Sequence, residues 1–221
     1  MHSHLIPGID DGVASNDHAL EIITKLMDLG YEKFITTPHI MSDTYPNNPK
    51  VIRERLVLLN EFLRSKNINV EVQAAAEYYL DEYTMRAVNE PEEMLTFGNK
   101  YLLFETNYLS EPYVLKDFIF QATSKGYRPV LAHPERYQYM TMEKAQDLVD
   151  RGVLLQVNLL SLSGFYMKSA QKLAEKLIDK KMVSFLGTDC HSFSQAAALE
   201  KSLKTASFKK AMELPLLNEK I

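Results

Sequence analysis

The feature that most constrains the fold is an alternation of short β-type runs with longer amphipathic stretches. Six apolar runs are typical of strands, and they cover 33–37, 70–74, 101–104, 129–132, 153–157 and 183–186. The stretches between them carry apolar residues at helical spacing, which predicts helices over 17–29, 50–65, 114–124, 142–151 and 170–180. A terminal helix with a short extended end is expected within 199–221. Alternating strands and helices indicate parallel strands, in either an open doubly wound sheet or a closed barrel.

Each predicted strand leads into a polar side chain at its carboxyl end. In chain order these residues are His39, Glu77, Glu105, His133, Asn158 and the pair Asp189 and His191. Successive sites are 38, 28, 28, 25 and 31 residues apart, which is the length of one strand–helix unit. The carboxyl ends of barrel strands converge on one face, and that face carries the active site in such folds. The pattern therefore favours a barrel-like active site, which the opening His2-Ser3-His4 would join.

The polar residues form a candidate metal site. His2 and His4 alternate, so on a strand both imidazoles would point to the same side. The candidate ligands are His2, His4, Asp11, His39, Glu77, Glu105, His133, Asp189 and His191. Nine nitrogen and oxygen ligands exceed the need of one ion and suit two or three ions with a bridging carboxylate. Because the set has no thiolate, it favours Mn, Mg, Fe or Zn over copper.

The charge of this set indicates a phosphate ester as substrate. Three divalent ions against four carboxylates would leave a formal charge of about +2, which attracts a phosphate dianion and activates water. Arg136 follows His133 closely, and its guanidinium suits bidentate contact with phosphate oxygens. The alternative is a surface arginine paired with Glu135. Asp10 has two possible roles, a hydrogen bond to a ligand or a turn before Gly12.

Aromatic and sulfur side chains near the strand ends leave further alternatives open. Six tyrosines are candidates for a wall around an aromatic substrate, with ordinary loop packing as the alternative: Tyr45, Tyr78, Tyr108, Tyr137, Tyr139 and Tyr166. Cys190 is not expected to be a phosphatase nucleophile, because the C-x5-R loop would need arginine where Ala196 stands. We expect it to be a small structural residue.

The composition excludes several classes of protein. Lysine and arginine number 25 against 29 acidic residues, for a net charge of −4, so no basic excess exists for binding nucleic acid. The single cysteine rules out a disulfide framework. No apolar run approaches the roughly 20 residues that a membrane helix needs. We therefore expect a soluble cytoplasmic domain with no membrane insertion.

Four motifs together resemble the polymerase-and-histidinol-phosphatase (PHP) superfamily. They are HSHLIPGIDDG at 2–12, TPH at 37–39, AHPERY at 132–137 and GTDCH at 187–191. Within that superfamily the chain is similar to the bacterial manganese-dependent protein-tyrosine phosphatases of capsular and exopolysaccharide gene clusters. The motifs run from residue 2 to residue 191 and so span nearly the whole chain.

The resemblance implies an α/β fold, a distorted (β/α)7 TIM-like barrel formed by a single domain over 1–221. It also implies three divalent ions, most often Mn. One ion would be held by His2, His4, Glu77 and Asp189, a second by Glu77, Glu105 and His133, and the third by Asp11, His39 and His191. Arg136 would contact the substrate phosphate, and water activated by the ions would attack phosphorus in line. The implied substrate is the phosphorylated tail of a bacterial tyrosine kinase that regulates polysaccharide synthesis.

Two departures and two alternatives accompany the resemblance. Only Met1 precedes the H-x-H pair, so either the chain is trimmed from a longer protein or its first strand is incomplete. Some relatives place an arginine shortly after the final D-x-H, where this chain has Ser192. The alternative functions are another PHP phosphoesterase, such as a histidinol-phosphate phosphatase, and a non-catalytic metal-binding relative. The physiological phosphoprotein, the native metal, the general acid and the oligomeric state stay open at this point.

Overall fold

The computed structural model describes residues 1–90 and 94–221. The strands within them are β1 (Phe34–Thr36), β2 (His39–Ile40), β3 (Val72–Ala74), β4 (Glu77–Tyr79), β5 (Tyr101–Glu105), β6 (Arg128–Ala132), β7 (Leu154–Asn158) and β8 (Val183–Gly187). The helices are α1 (Asn16–Asp28), α2 (Pro49–Ser65), α3 (Glu82–Ala87), α4 (Leu115–Ser124), α5 (Met142–Asp150), α6 (Lys168–Asp179), α7 (Phe193–Leu203) and α8 (Ala206–Ala211). Short 3-10 helices cover Pro134–Arg136, Leu159–Ser163 and Leu217–Lys220.

The strands pair in parallel, as the alternating pattern predicts. Six of them form a sheet in the order β2-β4-β5-β6-β7-β8, and β1 pairs with β3. The two sheets are joined along the chain, because β1 runs into β2 and β3 into β4. Between them the Ala75 amide donates to the Thr36 carbonyl at 2.9 Å, and the Glu77 amide donates to the Pro38 carbonyl at 3.1 Å. The fold is therefore a mixed α/β structure with parallel sheets.

The first residues of the chain lie between the end of β8 and the end of β1. Ser3 forms a parallel bridge with Cys190, and the Thr37 amide donates to the Ser3 carbonyl at 2.7 Å. The expectation that His2 lies on a regular strand is wrong, because its φ of 62° is in the left-handed region. The imidazoles of His2 and His4 nevertheless lie together, with ring centroids 5.6 Å apart.

The strands are buried on both faces, which explains their nearly continuous apolar sequences. Along β5, Leu102 and Phe104 pack in the larger apolar cluster, which also contains the buried faces of the helices. Leu103, between them, points the other way into a smaller cluster with Val130 and Phe185. This packing holds the strand ends in a fixed relation to one another.

The helices begin where the sequence supplies caps. The side chains of Ser15, Asn48 and Thr141 accept hydrogen bonds from the first-turn amides of α1, α2 and α5. The prediction for 199–221 is wrong in detail, since α7 begins at Phe193, α8 follows it, and a 3-10 helix lies near the end. In the part of the chain that the structure describes, no helix has the length and apolarity needed to cross a membrane.

Candidate metal centre

All nine predicted ligands lie together, in the segment before α1, at the starts of β2 and β4 just after β1 and β3, at the end of β5, and in the turns after β6 and β8. Their ligand atoms form three overlapping groups, within each of which all atoms lie within 4.8 Å of one another. The groups are His4, Asp11, His39 and His191; His2, Glu77, His133 and Asp189; and His39, Glu77 and Glu105. This grouping places His4 beside Asp11 and places His133 beside His2, which differs from the division that the resemblance implies.

Glu77 is the centre of the cluster. Its carboxylate oxygens lie 3.0 to 3.4 Å from a ring nitrogen of each of four histidines, which are His2, His4, His39 and His133. Asp189 lies beside it, with Oδ1 3.3 Å from His2 Nε2 and 3.6 Å from His4 Nε2. Glu77 is fully buried, and only 2% of the Asp189 side chain is exposed. Two buried carboxylates therefore share the imidazoles of His2 and His4.

Three of the nine residues have strained backbone. His2, His133 and Asp189 have φ values of 62°, 35° and 49°. A side chain with a Cβ rarely adopts this region, and such strain concentrates at functional sites. His133 and Asp189 follow the ends of β6 and β8, and His2 precedes the bridge at Ser3. In these backbone conformations His2 and His133 contact Glu77, and Asp189 contacts Arg136.

Asp10 has both of the roles proposed for it. Its Oδ2 lies 2.7 Å from His4 Nδ1, and it also accepts from the His39 amide at 3.2 Å. Its Oδ1 accepts from the Gly12 amide at 3.0 Å and so closes the turn. Glycine is required at this turn, because a Cβ on Gly12 would lie 2.4 Å from the His4 carbonyl oxygen. A carboxylate on the outer nitrogen of a histidine is the usual way to orient a metal ligand.

The cluster carries an excess of negative charge that needs compensation. Burial disfavours a charge on His2, but the carboxylates of Glu77 and Asp189 outweigh it and raise the pKa of His2 to about 10. Burial likewise opposes the charge on Glu77 and Asp189, but the surrounding imidazoles hold both carboxyl pKa values well below their usual range. The carboxylates therefore stay ionised, and either protons or metal cations must neutralise them.

Unpaired nitrogens show that metal ions fit this cluster. His4 Nε2 and His39 Nδ1 are fully buried and form no well-aligned hydrogen bond with a described residue, although each lies beside a carboxylate oxygen. His4 Nε2 lies 3.3 Å from Glu77 Oε2, and His39 Nδ1 lies 3.0 Å from Glu105 Oε1. Buried polar atoms without partners are rare and need an explanation. Imidazole nitrogens beside carboxylate oxygens are ligands that hard and borderline divalent cations prefer.

The cluster forms the floor of an open cavity of about 740 Å³. Arg136 lines this cavity, and one guanidinium N–H donates to Asp189 Oδ2 at 2.7 Å. The guanidinium carbon lies 5.0 Å from the ring centre of Tyr108 and 4.4 Å from that of Tyr166. The alternative pairing with Glu135 is wrong, because that carboxylate is buried and accepts hydrogen bonds from Asn158 and Ser161.

The six candidate tyrosines divide between the cavity and the core. Tyr45, Tyr108 and Tyr166 line the cavity, together with Tyr79, which the sequence reasoning missed. The packing alternative is confirmed for Tyr78 and Tyr137, which are buried and accept hydrogen bonds from backbone amides through their hydroxyls. Tyr139 also packs against the core, and its hydroxyl lies 2.6 Å from the Thr106 hydroxyl. The signal for Tyr79 was its alternation with Tyr78, because two neighbouring residues on a strand face opposite sides.

Cys190 packs in the core. Its side chain has no exposed surface, its thiol donates to the Ser192 carbonyl, and burial raises its pKa to about 12. A thiol in this environment is not a nucleophile at neutral pH. The expected structural role of Cys190 agrees with this position.

A family model described as "Capsular polysaccharide synthesis, CpsB/CapC" matches residues 1–213. The chain belongs to the CpsB/CapC family. Among its relatives are CapC of Staphylococcus aureus, with 24% identity over 100% of this chain and 89% of that protein. The tyrosine-protein phosphatase YwqE of Bacillus subtilis is 26% identical over 87% of this chain and 76% of its own length. The tyrosine-protein phosphatase CpsB of Streptococcus pneumoniae is 23% identical over 97% and 93%.

The fold of this CpsB/CapC chain has also been seen in solved structures. A chain from the crystal structures of YwqE from Bacillus subtilis and CpsB from Streptococcus pneumoniae superposes with a TM-score of 0.80. The match covers 97% of this chain and 94% of the other, at 24% sequence identity. Those proteins are described as unique metal-dependent tyrosine phosphatases. At this identity the likeness establishes the mixed α/β fold with parallel sheets.

Proposed function

We propose that the protein is a metal-dependent protein-tyrosine phosphatase. The observation that carries this proposal is the cluster of nine ligand-type side chains on the floor of a cavity that Arg136 and four tyrosines line. The ligand cluster, with its ions, and the Arg136 guanidinium suit the phosphate group of phosphotyrosine. The tyrosine side chains suit its aromatic ring. Membership of the CpsB/CapC family and the names of its relatives support the same activity.

We propose three divalent ions as the cofactor, with Mn favoured. The nine residues that would hold them are those of the three groups described above, and the buried unpaired nitrogens support this assignment. When bound, the ions would supply the positive charge that lowers the pKa of water and neutralises phosphate oxygens. Glu77 and His39 each belong to two of the groups, so these two residues would help to hold the ions of both.

Arg136 would bind and orient the phosphate. Its guanidinium has five N–H donors in a planar fork, and the hydrogen bond to Asp189 uses one donor and fixes the plane. The guanidinium also lies against the rings of Tyr108 and Tyr166, so little conformational freedom is lost when a substrate binds. The remaining donors stabilise the negative charge that spreads over the phosphate oxygens during transfer.

The protein need not protonate the leaving group strongly. The leaving tyrosine is a phenol with a pKa of about 10, so it departs far more easily than the alkoxide of serine. The aromatic walls of the cavity would hold its ring by stacking and edge contacts. The chain thus selects phosphotyrosine in two ways. Its tyrosines contact the aromatic ring, and the phenol leaves without strong protonation by a general acid.

We infer that the strands close into a distorted (β/α)7 barrel within one domain over 1–221. The hydrogen bonds of the N-terminal segment support closure, because Ser3 bonds to the end of β1 and His4 bonds to Cys190 after β8. In this arrangement β1 and β2 count as one interrupted strand, and so do β3 and β4. Together with β5 to β8 and the N-terminal segment, they make the seven strands of the barrel. The convergence of the ligands on one face supports the same arrangement.

The substrate that best suits this cavity is a flexible phosphotyrosine segment, and we propose the tail of a bacterial tyrosine kinase in the cytoplasm. The ligand cluster lies at the floor of the cavity, so a phosphate must reach past the rim to meet Arg136. An extended tail enters such a cavity more easily than a tyrosine on a folded surface does. The family's description as a capsular polysaccharide synthesis family supports a kinase of that process.

The test is phosphate release by protein stripped of metal, with and without added Mn²⁺. We expect Mn²⁺-dependent release from a phosphotyrosine peptide, and little release from the matching phosphoserine peptide or from histidinol phosphate. Glu77→Gln should lose both metal and activity, whereas Asp43→Asn, on the cavity rim, should keep the metal. Faster turnover of histidinol phosphate than of phosphotyrosine would replace this proposal by the small-molecule alternative.

A further inference from the structure

Two buried amide side chains at the end of β7 connect two of the candidate ligands. Gln156 Oε1 lies 2.6 Å from His2 Nδ1, and Gln156 Nε2 donates to Asn158 Oδ1 at 2.8 Å. Asn158 Nδ2 then donates to Asp189 Oδ2 at 2.7 Å. Gln156 and Asn158 have no exposed surface. A chain of three hydrogen bonds therefore runs from one ligand to another without passing through solvent.

The chain has a fixed direction. The Asp189 carboxylate only accepts hydrogen bonds, so the amide of Asn158 must turn its NH2 group toward it. The oxygen of Asn158 then faces Gln156 and accepts from its NH2 group, which leaves the Gln156 oxygen facing His2. An amide oxygen cannot donate, so Nδ1 of His2 must carry a proton, and Nε2 is the nitrogen that is free to give up its proton to a metal ion. The carboxylate thus fixes the tautomer of an imidazole through two neutral groups.

This tautomer is the one that a metal ligand needs. With its proton on Nδ1, His2 presents the lone pair of Nε2, which lies 3.1 Å from Glu77 Oε2 and 3.3 Å from Asp189 Oδ1. His4 is held differently, since its outer nitrogen meets the carboxylate of Asp10. An anionic partner raises the basicity of an imidazole more than a neutral amide does. The two histidines of the H-x-H motif are therefore oriented by partners of different charge.

The surrounding structure holds the two amides in place. Glu135 Oε1 accepts from the Asn158 backbone amide at 2.9 Å and from the Ser161 hydroxyl at 2.7 Å. Gly187 on β8 leaves the space that Gln156 occupies, because a Cβ there would lie 2.5 Å from Gln156 Nε2. Neither amide can rotate freely in such a site.

We propose that Gln156 and Asn158 are positioning residues, which set the tautomer of His2 and the orientation of Asp189 for the metal ions. This inference rests on the metal ions of the proposed function. Loss of such an outer contact typically costs 10- to 100-fold in metal affinity. Gln156→Leu removes both hydrogen bonds at similar volume, so we expect it to weaken Mn²⁺ binding by roughly that factor.

The tautomer itself supplies a readout that a merely structural role would not move. In zinc-loaded protein labelled with ¹⁵N-histidine, the His2 signals should report a protonated Nδ1 in the unmodified protein. We expect Gln156→Glu, which keeps an acceptor beside Nδ1, to retain that signature, and Gln156→Leu to lose it. A matched control is Gln121→Leu, which removes an exposed amide that accepts from Asn89 Nδ2 at 2.7 Å. The control should change neither Mn²⁺ affinity nor the His2 signals.

A second variant covers the case in which Gln156→Leu does not fold. Asn158→Asp keeps the volume but places an oxygen against Asp189, so it should also weaken Mn²⁺ binding. Wild-type Mn²⁺ affinity with unchanged His2 signals in folded Gln156→Leu, or wild-type Mn²⁺ affinity in folded Asn158→Asp, would overturn the inference. Phosphate release is measured separately. If the protein binds Mn²⁺ but releases no phosphate, the proposed function fails and the positioning role stands.

Discussion

Arg136 is the residue whose contacts say most about the reaction. Its guanidinium pairs with Asp189, which is one of the nine candidate ligands, and it also lies against the rings of Tyr108 and Tyr166. Its side chain is 23% exposed, so a phosphate can still reach it from the cavity. Under the proposed function, a guanidinium held in this way would act on the charge of the transition state and would take no part in holding the metal ions.

Arg136→Ala should therefore separate catalysis from metal binding. We expect kcat/KM for a phosphotyrosine peptide to fall by roughly 10²- to 10³-fold, with bound Mn²⁺ unchanged. Arg128→Ala is the matched control, since Arg128 also stacks on a tyrosine, with its guanidinium carbon 4.6 Å from the Tyr101 ring centre, but at the start of β6. Kinetics and elemental analysis of both variants check this. Full activity in Arg136→Ala would contradict the assignment.

Protons should compete with metal for the cluster. The carboxylates around His2 raise its pKa to about 10, so the metal-free imidazole is charged throughout the neutral range. Mn²⁺ must displace that proton, and its apparent affinity should rise with pH by up to about tenfold per unit for one proton. Calorimetric titrations from pH 6 to 9 in buffers of different ionisation enthalpy would count the protons released. Affinity independent of pH would show that the cluster binds metal without losing protons.

Cys190 offers a test between two classes of phosphatase. The thiol is buried and its pKa is about 12, so it should react slowly with iodoacetamide at pH 8 until the protein unfolds. Cys190→Ala should keep activity within about twofold and cost roughly 1–2 kcal/mol of stability through the small cavity it leaves. Mass spectrometry after alkylation and a phosphotyrosine assay measure the two effects. Inactivation by the substitution would indicate a cysteine-dependent reaction.

At the scale of elements, periodic sequence predicted the helices and strands that carry the core. The starts and ends of α1, α2, α4, α5 and α6 lie within two residues of the predicted ones. The short helix α3 was missed, because six residues hold too few apolar positions to show a period. The start of α7 was missed because its N-cap, Ser192, and Ser194 in its first turn are residues that are also typical of loops. The first two predicted strands are each interrupted, between β1 and β2 and between β3 and β4. These breaks accompany hydrogen bonds between the two segments, and their positions were not predicted.

The candidate site was largely predictable for a simple reason. Parallel strands end on one edge, so a reactive residue at each strand end predicts a cluster without knowledge of tertiary contacts. Gln156 was missed, although a polar residue inside an otherwise apolar buried strand is a signal of a specific hydrogen bond. The contacts of Arg136 with Tyr108 and Tyr166 were not predictable, because they join three loops whose conformations the sequence does not determine locally.

The packing of β8 against β7 predicts the effect of one added methyl group. Gly187→Ala would place a Cβ 2.5 Å from Gln156 Nε2 and 3.0 Å from His2 Cβ. We expect a loss of roughly 1–3 kcal/mol in stability and weaker Mn²⁺ binding, because both neighbours must shift. Ser184→Ala on the same strand is the control. Denaturant unfolding and metal titration measure both, and an unchanged metal affinity would show that the amide chain tolerates displacement.

At the scale of the whole molecule, the ligand cluster ties together segments from across the sequence. Its members come from the N-terminal segment, from β2, β4 and β5, and from the turns after β6 and β8. Any ion bound there contacts several of these elements at once. Metal binding should therefore stabilise the native state as a whole, by an amount that follows from its affinity and concentration.

Removal of metal should lower the melting temperature. At a Mn²⁺ concentration 100 times Kd, one site contributes about 2.7 kcal/mol, which corresponds to roughly 5–10 °C for a chain of this size. Differential scanning calorimetry with Mn²⁺ and with a chelator measures the difference. His133→Ala should reduce it, because one ligand of the cluster is lost. An identical melting temperature in both conditions would mean that the folded and unfolded chains bind the ion equally.

The bridge between the first residues and the end of β8 also bears on how the protein is made. The Thr188 hydroxyl donates to the His2 carbonyl, two positions that are 186 residues apart in the chain. During translation His2 emerges from the ribosome long before Thr188 is synthesised. The ribosome must pass His191 before all the candidate ligands can come together. The nascent chain therefore carries incomplete ligand sets for most of its synthesis, and premature termination anywhere before this point yields a product without a complete centre. Activity in a growing cell would thus report on chains that were translated at least to His191.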